Sequence, residues 1–261
     1  VEAPAAFELR DATVRYGELA ALDGARLRIG TGEAVALVGP SGAGKSTLLG
    51  LLNGTVRAAA GSVEAFGSDL AALPPRRLRE VRSRIGLVPQ DFGLVPELRV
   101  VQNVVAGRAG RRGVAGSLRD VLFPSADTVR AVHETLDRVG IPAKLYERVD
   151  RLSGGQQQRV AVARALFQSP DALLADEPVS SVDPARARAT MELLTGLARE
   201  RKLTLVVSLH HLEIAREFFP RLVGLRAGRI VFDRPAGELR EGDFDALYRL
   251  EAAEILQDGP P

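Results

Sequence analysis

The 261-residue chain contains no cysteine, so it can build no disulfide, no thiolate nucleophile and no cysteine metal site. That absence is compatible with a reducing cytosol. Lysine is scarce: Lys45, Lys144 and Lys202 are the only three, and nearly all the positive charge is arginine. The formal net charge is +2, too small to imply a nucleic-acid partner by itself. No apolar run approaches the roughly 20 residues that cross a bilayer; the longest, 34–38 and 203–207, are strand-sized. The start, Val1-Glu2-Ala3-Pro4, has no Met and no charged-then-apolar leader pattern. Any membrane role is therefore expected to come through a partner. There is no internal repeat and no low-complexity block. At 46% hydrophobic and 26% charged residues, the composition is that of an ordinary globular protein. The length suits one large domain, or a core with a subdomain.

What is present is concentrated in a few places. Gly39-Pro40-Ser41-Gly42-Ala43-Gly44-Lys45-Ser46-Thr47 fits G-x-x-x-x-G-K-[ST], the phosphate-binding P-loop. A buried strand is expected at 34–38 before it, and a helix opens at 47–52 after it. The glycines let successive backbone N–H groups turn toward phosphate oxygens, and the helix start adds its positive dipole end. Lys45 can reach the β- and γ-phosphates, and the Ser46 hydroxyl can ligate Mg²⁺. The alternative, a glycine-rich turn that binds nothing, does not account for these flanks or for a scarce lysine at this position.

Along the rest of the chain, strands are expected at 7–16, 25–29, 61–65 and 85–89, with an arginine-rich surface helix at 74–84. From 98 to 148 the pattern is helical, broken by Gly107, Gly110, Gly113, Gly116, Pro124 and Pro142. This reads as a helical subdomain inserted into a nucleotide-binding core. A strong helix is expected at 156–168, with Val160, Ala163, Ala165 and Leu166 as its apolar side. Buried strands at 172–175 and 203–209 between helical segments give the α/β alternation of a parallel sheet. A late hairpin is expected from 222–225 and 229–233 across Ala227-Gly228, and the polar tail is expected to fray.

Two further elements carry chemistry. The strand Leu173-Leu174-Ala175 ends in Asp176-Glu177, at the edge where α/β folds bind ligands. Asp176 is placed to hold Mg²⁺, and Glu177 to orient and deprotonate an attacking water. Two solvated acids at a strand end are the plainer alternative, weakened by the P-loop. Leu152-Ser153-Gly154-Gly155-Gln156 then opens a helix with Ser153 as a suitable N-cap. It is a second anion-binding helix start, more than one nucleotide on one surface needs.

Taken together these motifs resemble those of the ATP-binding cassette (ABC) ATPases. Leu152–Gln156 matches that family's signature letter for letter, between the P-loop and the Walker-B acid Asp176. Gln90 in Val88-Pro89-Gln90 matches the Q-loop, His210 the switch histidine, and Tyr16 the aromatic that stacks on adenine. Asp183 sits in the D-loop, where Ser181 and Val182 replace the frequent alanine and leucine. Taken singly, Tyr16 could be a packing aromatic and Gln90 a loop amide. One of the adjacent His210 and His211 would be structural, His133 a helix-surface residue, and the arginines of 108–112 a solvated loop.

The resemblance implies an α/β P-loop fold with a mainly parallel core sheet, an antiparallel β subdomain and a helical subdomain at about 91–165. The ABC ATPase domain would span 1–240, followed by an extension at 241–261. It further implies ATP as ligand and Mg²⁺ held with Ser46, Gln90 and Asp176. Catalysis would use Lys45, Gln90, Glu177 and His210. Gly39 through Thr47, Tyr16, Ser153 through Gln156 and Asp183 would bind the nucleotide. Two copies would pair head to tail, each ATP lying between one P-loop and the other chain's signature.

One cassette without a membrane span resembles the separate ATPase subunit of a bacterial importer. It would be peripheral on the cytoplasmic face of the inner membrane, working with transmembrane permease subunits and a solute-binding protein, and with no nucleic acid. The segments 103–108, 148–159, 175–179 and 224–233 are similar to phosphonate importer ATPases. Import of phosphite, phosphate or another small solute, and a non-transport role beside a carbon–phosphorus lyase, remain open alternatives.

Overall fold

The computed structural model describes residues 4–109, 114–179 and 184–248. It opens on a long antiparallel hairpin, β1 (Ala5–Tyr16) and β2 (Leu19–Gly30). The strand expected at 25–29 is thus more than twice as long. Its polar Asp23-Gly24 break is absorbed by register shifts around Ala12, where Asp11 takes a positive φ of 53° and the Gly24 N–H donates to Thr13 Oγ1 at 3.1 Å. Next come β3 (Ala34–Val38), the helix α1 (Lys45–Leu52), β4 (Ala60–Ala65) and β5 (Ser68–Asp69). β1, β2, β4 and β5 form one antiparallel sheet in the order β2-β1-β4-β5.

The chain then runs through α2 (Pro75–Ser83) and β6 (Ile85–Val88) to α3 (Val100–Ala106), α4 (Val114–Leu122) and α5 (Ala126–Arg138). After α6 (Gly154–Phe167) come β7 (Ala172–Ala175), α7 (Pro184–Arg201), β8 (Thr204–Leu209) and α8 (Leu212–Phe218). The hairpin β9 (Arg221–Arg226) and β10 (Arg229–Pro235) precedes α9 (Glu241–Tyr248). The second sheet has the order β10-β9-β3-β8-β7-β6. Its pairs are parallel from β9 to β6, and only the edge strand β10 runs antiparallel.

Strands β3, β7 and β8 are short apolar runs because this sheet is covered on both faces. Their alternation splits the interior in two. Ala36, Val38, Leu173, Ala175, Leu205 and Val207 face the core shared with α3, α5, α6 and α7. Val35, Leu37, Ala172, Leu174 and Val206 face the core shared with α1 and the antiparallel sheet.

Three differences from expectation have local causes. α6 begins at Gly154, earlier than the expected 156 but directly after the expected N-cap Ser153, because Ser153 and Gln156 form a reciprocal capping box that places both glycines in the first turn. That helix is buried on more than one side, Ala161, Val162 and Phe167 included, because it lies between β6 and the helices α3 and α5. A helix follows 240 where no element is expected: α9 docks Leu247 into the core and Phe244 edge-on to Phe232, centroids 6.3 Å apart, while the polar end expected to fray lies outside the described residues.

Candidate active site

The P-loop lies between β3 and α1 and turns on glycine. Gly42 and Gly44 have φ of 75° and 102°, left-handed values that side chains disfavour. At Gly44 a Cβ would also lie 2.5 Å from the Ala21 carbonyl oxygen on β2. The hairpin end that carries Tyr16 is thereby held beside the loop. Tyr16 pairs with Leu19 at the tip of β1 and is 55% exposed, so its ring is not a core-packing aromatic. α1 has no side-chain cap and no acid in its first turn, which leaves its positive end directed at the loop.

Lys45, the first residue of α1, is buried. Its Nζ donates to the carbonyls of Gly39 and Pro40, both at 2.9 Å, and lies 3.5 Å from Glu177 Oε1. Burial pushes its pKa below the usual lysine value, opposed by Glu177 and Asp176. His210 closes the cluster, with Nε2 2.6 Å from the same Glu177 Oε1 and Nδ1 3.5 Å from Lys45 Nζ. An ammonium can only donate, so Nδ1 is the acceptor and the proton of the neutral ring belongs on Nε2, donating to Glu177. His211 faces solvent at the start of α8, so of the two adjacent histidines it is His210 that joins the Lys45–Glu177 cluster.

The parallel register explains the meeting. Val38 pairs with Leu209, and Ala175 with Val207, so Gly39 and His210 leave adjacent strands together while Asp176 lies beside Ser208. The Ser208 hydroxyl donates to Asp176 Oδ1 at 2.6 Å and accepts from the Glu177 N–H at 2.8 Å. It supports Glu177 in a left-handed conformation, φ 44°, unusual for a residue with a side chain. Ser208 carried no motif, and its only sequence signal is a hydroxyl that interrupts the apolar run of β8.

Gln90 is exposed two residues beyond β6, on the strand next to β7, where the Asp176 N–H donates to the Val88 carbonyl at 2.9 Å. The loop after it is held from α6 and α3. Arg164 donates to the carbonyls of Phe92, at 2.6 Å, and Gly93. The buried Asn103 side-chain amide exchanges hydrogen bonds with the Val95 backbone at 2.8 and 3.0 Å. Sequence reasoning missed Arg164 in this role. Arg108 is also more than a solvated loop residue: it stacks 3.8 Å over the Phe167 ring and donates to the Phe167 carbonyl. His133 is exposed on α5, as expected.

Ser153, Gly154, Gly155 and Gln156 are not brought to the P-loop of their own chain. α6 packs along β6, and β6 is separated from β3 by β7 and β8, about 14 Å across three strand spacings. Gln158 ties this helix to the far side of the acidic turn, donating to the Pro178 carbonyl at 2.5 Å. The D-loop residues Ser181, Val182 and Asp183 lie outside the described residues.

Comparison with known proteins agrees with this arrangement. The family model for the ABC transporter matches residues 22–180. A phosphonates import ATP-binding protein from Pseudomonas putida is 45% identical over 95% of this chain and 91% of its own length. One from Anaeromyxobacter dehalogenans is 50% identical over 93% of this chain, which spans only 48% of that relative. Among solved structures, the ATP-binding cassette MJ0796, dimeric in a post-hydrolysis state with ADP and Pi, superposes with a TM-score of 0.76 at 32% identity. That match covers 88% of this chain and 98% of the other. The chain belongs to the ABC transporter family, as one of its ATPase cassettes.

Proposed function

We propose that this cassette hydrolyses Mg-ATP at a site completed by a second copy of itself, and thereby energises import of phosphonates or related phosphorus oxyanions through separate permease subunits. The observation that carries the site reading is the meeting of Lys45 and His210 on Glu177, with the Ser153 helix start displaced by three strands. The cargo reading is supported by likeness to phosphonates import ATP-binding proteins over nearly the whole chain.

Lys45 binds the β- and γ-phosphates by charge. Glu177 accepts the proton of the attacking water, and His210 orients that carboxylate and donates toward the γ-phosphate. Tyr16 offers its exposed ring to the adenine. Ser153 and the backbone N–H groups of Gly154 and Gly155 meet the γ-phosphate from the partner copy, with Gln156 closing the capping box that shapes this turn. The hydroxyl of Ser46, the carboxylate of Asp176 and the amide oxygen of Gln90 are hard oxygen donors that suit Mg²⁺. Asp176 is already held in one orientation by Ser208. The metal, when bound, neutralises charge on the phosphates.

Among the described residues no helix is long and apolar enough to cross a membrane. Docking to permease subunits would place the chain peripherally on the cytoplasmic face, within reach of a solute-binding protein that acts through the permease. The inserted helical segment at about 91–165 exposes Val95, Leu118, Leu122, Phe123 and Tyr146, apolar side chains that suit a protein partner. The test is uptake of labelled methylphosphonate and phosphate by a deletion strain carrying the wild-type gene or Glu177→Gln. Restoration of methylphosphonate uptake by the wild type alone is expected. Normal methylphosphonate uptake in the deletion strain would overturn the cargo reading while leaving the ATPase reading intact.

A further inference from the structure

One side chain from outside the parallel sheet reaches the rim that carries the active site. Tyr248, the last residue of α9, donates its hydroxyl to the His210 carbonyl at 3.1 Å. The position of that carbonyl is not arbitrary. Val38 and Leu209 are the last paired residues of β3 and β8, so Gly39 and His210 stand one rung beyond the end of the ladder. There the strands diverge, one into the P-loop and the other toward α8. The Tyr248 hydroxyl pairs with the His210 carbonyl at the point where β3 no longer can.

The helix that carries it is anchored independently of that hydroxyl. Leu247 is fully buried, Phe244 meets Phe232, and Arg216 of α8 lies 5.5 Å over the Phe244 ring. Asp243 caps the Arg240 N–H at 2.9 Å. α9 is therefore strapped both to β10 and to the helix that follows His210. Tyr248 itself is 37% exposed, so its hydroxyl contributes little to the core and much to the position of one loop.

We propose that Tyr248 is a positioning residue for ATP hydrolysis: by holding the His210 carbonyl where β8 leaves the sheet, it fixes the switch histidine beside the phosphate loop. The inference rests on the roles given above to His210 and the P-loop. Displacement of α9 would release His210 from its carbonyl side, making the C-terminal helix a point at which a partner can lower turnover without touching the nucleotide.

The test is Tyr248→Phe in the full chain, which keeps the ring and removes the hydroxyl. Loss of one hydrogen bond that orients a group in the transition state is expected to lower kcat by about three- to tenfold. KM for ATP should stay within about twofold and Tm should be unchanged, since the α9 anchors remain. An unchanged kcat overturns the proposal. So does a kcat that falls only together with a raised KM or a lowered Tm, because that marks a docking contact alone. His210→Ala, measured alongside, separates the two levels. If it retains wild-type turnover, the fault lies in the assignment of His210; if it is inactive while Tyr248→Phe is normal, the fault lies in the role given to Tyr248.

Discussion

Ser208→Ala removes one oxygen from a fully buried position, and the structure sets the size of the effect. Two hydrogen bonds disappear, one to the Asp176 carboxylate at 2.6 Å and one from the Glu177 N–H at 2.8 Å. A hydrogen bond to a charged group contributes about 1.5–3 kcal/mol, and a buried donor left unpaired costs about 1–3 kcal/mol. Part of each cost is recovered by relaxation of the acidic turn, so a net loss of about 2–4 kcal/mol is expected. For a chain of this size that lowers Tm by about 5–12 °C. The same change frees Asp176 and removes support from the left-handed Glu177 backbone, so ATPase kcat should fall by at least about tenfold. Calorimetric melting without nucleotide and steady-state phosphate release read the two effects separately. A Tm within about 1 °C of wild type, with turnover retained, would refute the claim that Ser208 holds the two acids in place.

Three further outcomes are expected. Mixing Lys45→Ala with Ser153→Arg protomers should restore ATPase activity that neither shows alone, because one composite site then carries both lesions and the other carries none; no recovery under conditions that permit subunit exchange would count against a site shared between copies. Gly44→Ala places a Cβ 2.5 Å from the Ala21 carbonyl oxygen at a φ of 102°, a strain of about 1–3 kcal/mol, and should weaken ATP binding at least about tenfold by calorimetric titration. Because burial lowers the Lys45 pKa, the unfolded chain binds more protons than the folded one between that lowered value and 10.5, so stability attributable to Lys45 should rise with pH across that window. Urea melts of wild type against Lys45→Met at pH 8 and pH 10 should show the wild type gaining relative stability, and a relative loss would contradict the burial argument.

What could be read from the sequence follows from how local its physics is. The P-loop was legible because a lysine behind three glycines has few other uses, and those glycines do adopt left-handed or close-packed positions. β3, β7 and β8 were legible because strands buried on both faces are mostly apolar runs. β2 was read too short because Asp23-Gly24 looks like a break, while the register shift that accommodates it depends on the partner strand. Ser153 was legible as the N-cap of α6, while the two glycines after it hid that the helix already runs through them. Ser208, Arg164 and Tyr248 were not legible as site residues. Their importance arises from what lies across the sheet or at the far end of the chain, as with the hydroxyl of Tyr248 on a carbonyl 38 positions away.

The most direct test of the central claim is Glu177→Gln, assayed by size exclusion and phosphate release with and without Mg-ATP. The amide keeps the shape of the side chain but cannot take the proton of the attacking water. The account predicts retained ATP binding, turnover reduced by at least about a hundredfold, and a stable dimer that forms only with ATP. Near-normal turnover, or a monomer at saturating ATP, would contradict a hydrolytic site built from Glu177 and completed by a second copy.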